Sequence, residues 1–227
     1  MLKEIEIERQ VLVIFPHPDD EAFGVSGTIA TYTNMNVPVT YACLTLGEMG
    51  RNLGNPPFAT RESLPEIRKV ELQKAAEALN ITDLRMMGLR DKTLEFEDDA
   101  KMTKLVTDLI DELNPSLIIS FYPGFSVHPD HEATARAVVR AVEQMNQADR
   151  PKLHLVAFSN DTLEKLGEPD IVYDISHVFD QKMDAMRAHI SQTIWLLKEM
   201  EAQLAKNDEE TVKRVKFERF WTYSFKE

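Results

Sequence analysis

Two short segments carry the residue types that could do chemistry: Pro16-His17-Pro18-Asp19-Asp20-Glu21 and His128-Pro129-Asp130-His131. Imidazoles and carboxylates hold divalent ions and move protons near neutral pH. A catalytic ion of the zinc type takes three protein ligands and keeps one position for water. His17, Asp20 and His131 supply two imidazoles and one carboxylate. Proline on each side of His17 stiffens the turn that would bring His17 and Asp20 to one ion. The same donor set suits ferrous iron, so these residues leave Zn2+ and Fe2+ both open. Asp19 stands beside them as a base for a water acidified by the ion. His128 could stabilise a tetrahedral oxyanion or protonate a leaving amine, with Asp130 orienting it and keeping it charged. Together these groups suit hydrolysis of an amide.

The elements around the segments say how they could meet. Each segment follows an apolar run that reads as a buried strand, 11–15 and 117–122. Ligands bind outside the carboxyl ends of parallel strands in open α/β sheets, so two such ends can face one crevice. Further strands are expected at 38–46, 84–87, 153–158 and 171–175. Helices are expected at 20–32, 65–79, 99–113, 131–146 and 178–205, the third stopping before Pro115. Alternating strands and helices predict an α/β fold: a Rossmann-like, mostly parallel sheet with helices on both faces, as a single domain over 1–227. The loop 47–60 is long for a plain connection and is expected to be functional. The aromatic tail 217–225 is expected to pack back on the body.

Composition bounds the partners. With 26 basic and 38 acidic residues, the net charge of −12 argues against nucleic acid and against an anionic membrane surface. One cysteine, Cys43, excludes a disulfide within the chain and reads as a buried small hydrophobe. The charged stretch 1–9 has no apolar leader and no run is long enough to span a bilayer, so a cytoplasmic protein is expected. A nucleotide-binding Rossmann protein fits poorly, because Pro16-His17-Pro18 occupies the place of the glycine-rich turn. A non-catalytic metal- or carbohydrate-binding module would not need Asp19, His128 and Asp130.

The two segments resemble the paired signatures of the LmbE-like, or PIG-L-like, zinc N-deacetylases. Leu44-Thr45-Leu46-Gly47-Glu48, Arg68-x-x-Glu71-Leu72-x-x-Ala75-Ala76 and Lys182 through Gln192 extend the resemblance over nearly the whole chain. Within that family the chain is most similar to the deacetylases of bacillithiol biosynthesis, of the second, accessory type. The resemblance implies that His17, Asp20 and His131 bind zinc and that Asp19 is the base. It implies that His128 stabilises the oxyanion with Asp130 as its partner, and that Arg68 binds sugar hydroxyls. Glu48, Arg51 and Asn52 would line the entrance, and His189 either lines the site or packs on the sheet. The implied substrate is a small amino sugar, N-acetylglucosaminyl malate, whose carboxylates would meet Arg51, Arg61 or Arg68. An amidase on S-conjugates is the rival, and a homo-oligomer is expected. Some relatives carry an oxyanion-assisting tyrosine two residues before His128; here the residue is Ser126.

Overall fold

The computed structural model describes residues 2–225. Its elements, in order, are β1 (Val11–Phe15), α1 (Asp20–Gly24), α2 (Ser26–Asn34), β2 (Val39–Cys43), α3 (Leu64–Ala78), β3 (Asp83–Met86), α4 (Asp99–Leu113) and β4 (Leu117–Phe121). They continue with α5 (Pro129–Glu143), β5 (Lys152–Val156), α6 (Thr162–Leu166), β6 (Ile171–Asp174), α7 (Phe179–Ala188), α8 (Ile190–Leu204), α9 (Glu209–Lys216) and β7 (Phe217–Phe220). Five strands form a parallel sheet in the order β3-β2-β1-β4-β5.

Strand periodicity explains why β1 is apolar at every position. Val11, Val13 and Phe15 join one core with residues of α2, α3 and α7, while Leu12 and Ile14 join the other with residues of α4 and α5. A strand covered on both faces reads as a near-continuous apolar run. The order also fixes where function can sit. From β1 the chain winds outward to β2 and β3, then returns to the other side of β1 for β4 and β5. The β1/β4 boundary is therefore the switch point where a crevice opens at the carboxyl edge. Both His/Asp segments start there.

The sheet strands and α3, α4 and α5 lie close to their expected positions, and α4 ends in a left-handed Asn114 before Pro115. Three expectations are corrected. The segment 20–32 is two helices, broken at Val25. The segment 178–205 is also two helices, broken at His189, whose ring is 0% exposed and bonds Glu21 Oε1 at 2.6 Å. Apolar periodicity runs through that break; a buried polar contact decides it. Finally, β6 lies outside the parallel sheet and pairs antiparallel with β7 from the aromatic tail. Phe220 and Trp221 of that tail are buried, as expected.

A buried ion pair ties this small sheet to α7, and through hydrogen bonds to the Phe23 carbonyl of α1 and the N–H groups of α2. Lys182 Nζ lies 2.6 Å from Glu218 Oε1, and Glu218 also accepts the N–H groups of Gly27 and Thr28. Every lone pair that matters is matched, which is the condition for tolerating such a pair in a core. Cys43 is buried. Among the described residues, no helix is long and apolar enough to cross a membrane.

Candidate active site

The turn after β1 presents His17 and Asp20 because its backbone is clamped from several sides. Asp19 takes a left-handed φ of 102°, and its N–H donates to Glu21 Oε2 at 3.1 Å. The Tyr41 hydroxyl donates to the same Glu21 carboxylate at 2.9 Å. Asp20 Oδ2 accepts the His17 N–H at 2.9 Å. On the β4 side, His128 begins α5 and Asp130 and His131 occupy its first turn.

The three expected ligands converge. His17 Nδ1 is 3.2 Å from His131 Nε2 and 3.4 Å from Asp20 Oδ2, and His131 Nε2 is 3.3 Å from Asp20 Oδ1. Donors about 2.0–2.1 Å from a tetrahedral ion stand roughly 3.3 Å apart, so this spacing fits one divalent ion. The far ring nitrogens fix the tautomers. His131 Nδ1 donates to the Ser126 carbonyl at 3.1 Å, and His17 Nε2 faces Asp91 Oδ1 at 3.1 Å and Asp130 Oδ2 at 3.2 Å. Each ring therefore carries its proton away from the ion site. All three ligands border a cavity of about 440 Å3, with Asp19, Met49, Gly50, Arg51, Arg68, Asp91, Lys92, His128 and Gln192.

The sequence profile of the family described as PIG-L, GlcNAc-PI de-N-acetylase, matches residues 12–142. This chain belongs to the PIG-L de-N-acetylase family. It is 53% identical over 219 residues to a probable N-acetyl-α-D-glucosaminyl L-malate deacetylase 2 of Bacillus cereus, covering 96% of this chain and all of that protein. A protein of the same description from Bacillus subtilis is 50% identical, with 96% and 99% covered. Among solved structures, the N,N'-diacetylchitobiose deacetylase of Pyrococcus horikoshii superposes with a TM-score of 0.71 at 24% identity, over 95% of this chain and 84% of that one. The 4-carboxy-2-hydroxymuconate hydratase of Pseudomonas putida superposes at 0.74 and 20% identity, covering 96% and 98%. At these identities the likeness is one of fold.

Within this PIG-L site, electrostatics separate the carboxylates. Burial pushes the Asp19 carboxyl up to about 6, against the pull of the Arg68 guanidinium. Burial would also raise Asp20, but His131 and His17 outweigh it and hold Asp20 well below the usual range. The two neighbouring aspartates thus differ in character, Asp20 held ionised and Asp19 poised to take up a proton. Burial disfavours a charged His17, yet Asp130, Asp20 and Asp91 raise its pKa well above 6.5. For His128, burial and then the neighbours His17 and His131 lower the pKa.

The geometry corrects the expected Asp130–His128 pair. The Asp130 carboxylate accepts the N–H groups of Lys92 at 2.7 Å and Leu94 at 3.1 Å and faces His17. Only the Asp130 backbone N–H reaches His128, donating to Nδ1 at 3.2 Å. His128 is therefore a neutral ring with its proton on Nε2, a hydrogen-bond donor rather than a cation held by a carboxylate.

Arg68 borders the cavity, and the protein itself also engages its guanidinium. It is 3% exposed and donates to the carbonyls of Gly47 at 2.7 Å and Pro18, and to Asp19 Oδ2 at 3.0 Å. Gly47 has φ +59, and a Cβ there would lie 1.7 Å from Arg68 Nη1, so only glycine lets the guanidinium in. Arg68 thus holds the Asp19 carboxylate and both loops of the site. Arg68→Ala is expected to lower kcat about 100-fold, the scale of a misplaced catalytic group, with little change in KM. It should also move the acid limb of the pH profile upward, because the charge that lowers the Asp19 pKa is gone. A rise in KM alone would return Arg68 to the sugar.

Of the expected entrance residues, Arg51 borders the cavity. Glu48 and Asn52 do not: Glu48 Oε1 caps the Asp91 N–H at 3.0 Å, and Asn52 and Gln192 exchange side-chain-to-carbonyl hydrogen bonds. His189 lies behind the turn on Glu21, away from the cavity. Sequence reasoning missed Asp91, Lys92 and Gln192. Asp91 follows β3 at the same carboxyl edge, and that position was its one available signal. Ser126 is 0% exposed, and Tyr122 packs against Phe125 and Tyr223; neither borders the cavity.

Proposed function

We propose that this protein is a zinc-dependent hydrolase that removes the acetyl group from N-acetylglucosaminyl malate, giving acetate and the free amine. The observation that carries the reading is the trio His17, Asp20 and His131 at ion-ligand spacing, with Asp19 held beside it by Arg68. The description of the Bacillus relatives supplies the substrate.

His17, Asp20 and His131 would hold a divalent ion, which would supply Lewis acidity for the amide carbonyl and acidify water. Asp19 accepts the proton of the attacking water, its carboxyl being poised near 6. Nε2–H of His128 donates to the oxygen that gains charge in the tetrahedral state. The proton on Asp19 then passes to the departing nitrogen, so water adds across the C–N bond and both charges close.

The malate end needs cations. Arg61 is tied to the carbonyls of Glu48 and Gly50, and Arg68 is buried. Arg51 and Lys92 are exposed at the cavity. Hydrogen bonds to charged groups contribute about 1.5–3 kcal/mol, so Arg51→Ala with Lys92→Ala should raise KM about tenfold or more. The test is amine release from N-acetylglucosaminyl malate by the zinc-loaded protein. Release supports the reading. Failure here with release from an S-conjugate or another N-acyl sugar would reassign the substrate.

A further inference from the structure

The loop between β4 and α5 enters the scheme above only through His128, yet its backbone is built under constraint. Val127 has φ +64°, a conformation that a β-branched residue avoids. The His128 N–H donates back to the Ser126 carbonyl at 2.7 Å. A hydrogen bond closing over two residues around a positive φ is the rare, strained form of γ-turn. Nothing apolar holds Val127 there, since it is 69% exposed.

Glu132 holds it instead. One carboxylate oxygen accepts the Ser126 N–H at 2.8 Å and the Ser126 hydroxyl at 2.6 Å; the other accepts the Gly124 N–H at 2.5 Å. Three donors on one carboxylate, two of them on the fully buried Ser126, make a strong clamp. The Ser126 carbonyl faces the other way. It accepts both the His128 N–H and His131 Nδ1–H, the second at 3.1 Å. One carbonyl thus sets the entry of His128 and the tautomer of His131. Strain that persists at such a place is imposed by its surroundings and belongs to the working of the site.

We propose that Glu132 is a positioning residue: by clamping Ser126 and Gly124 it forces the γ-turn at Val127, and so aims the His128 ring and the ligand nitrogen of His131. The proposal rests on reading His131 as a ligand and His128 as the oxyanion donor. It also gives the Ser126 hydroxyl a role as an anchor for the turn, with no part in the reaction.

The test uses the full chain with Glu132→Ala, Glu132→Gln and Glu132→Ala/Val127→Gly. Three quantities are read: kcat and KM of the zinc-loaded protein, Zn2+ affinity by chelator competition, and melting temperature. Glu132→Ala should lower kcat about 10- to 100-fold and weaken Zn2+ about tenfold, the scale of a lost ligand-orienting contact, with KM nearly unchanged. Glu132→Gln keeps an acceptor for Ser126 and should retain more of both. Glycine adopts positive φ freely, so Val127→Gly in the alanine background should recover several-fold of the lost kcat and Zn2+ affinity. A Glu132→Ala protein that melts lower but keeps kcat and Zn2+ affinity within twofold would overturn the proposal, making Glu132 a plain acid at a helix end. So would losses that Val127→Gly leaves untouched. Chelator competition needs no substrate, so a wrong substrate assignment and a wrong role for Glu132 give different results.

Discussion

Asp19→Asn is expected to keep the metal and the fold while lowering kcat about 10²- to 10⁴-fold, the usual worth of a general base. Asparagine preserves the shape and still accepts the 3.0 Å hydrogen bond from Arg68. It cannot take a proton at neutral pH. The pH profile adds an independent readout. The Asp19 carboxyl is raised by burial to about 6, so its basic form predominates above that pH and kcat/KM should fall on the acid side. A bound dication stabilises the carboxylate, which places the limb at or below about 6. The residual activity of Asp19→Asn should lack this limb. Turnover near the wild-type value in Asp19→Asn, or a limb that survives the substitution, would remove Asp19 from the base role.

The contrast between Asp19 and Arg68 shows what a sequence can and cannot say about this site. Strands 11–15 and 117–122 were legible because a strand covered on both faces is a near-continuous apolar run, the buried Ser120 being satisfied by the Ile14 carbonyl. The expected ligand residues were legible because they stand in the segments that follow those strands. The partners of those residues were not. Whether Asp130 serves His128 or His17 depends on which way a carboxylate turns within one helical turn, and the free N–H groups of Lys92 and Leu94 decide it. Arg68 sits on a helix whose apolar pattern says nothing about its own burial; the space left by Gly47 brings it inside. Asp91 has no motif around it, only a place after β3, and it meets His17 because β3 lies two strands from β1. The helix break at His189 follows the same rule, since the Glu21 that causes it is far away in the chain.

His131→Ala is expected to do the opposite of Asp19→Asn: activity disappears because the ion leaves. Four-ligand zinc sites gain about 10–16 kcal/mol from binding. One ligand in three therefore accounts for about 3 kcal/mol or more, or roughly 100-fold in affinity. The geometry argues for the full loss. His131 Nε2 stands 3.2 Å from His17 Nδ1 and 3.3 Å from Asp20 Oδ1, and without it the other two donors span only one edge of the coordination shell. The check is metal content after dialysis, with melting curves taken with and without added Zn2+. An ion that binds only the folded chain raises its melting temperature, so wild type should gain a shift that His131→Ala lacks. The metal-free melting temperatures must be compared as well, because the His131 ring stacks on Phe121 at 4.2 Å between centroids and its removal leaves a void. A lowered metal-free value with an undiminished zinc shift would mean that His131 packs against the sheet without holding the ion. The ligand set would then pass to His17 with Asp91 and Asp130, whose ligand atoms lie within 4.8 Å of one another.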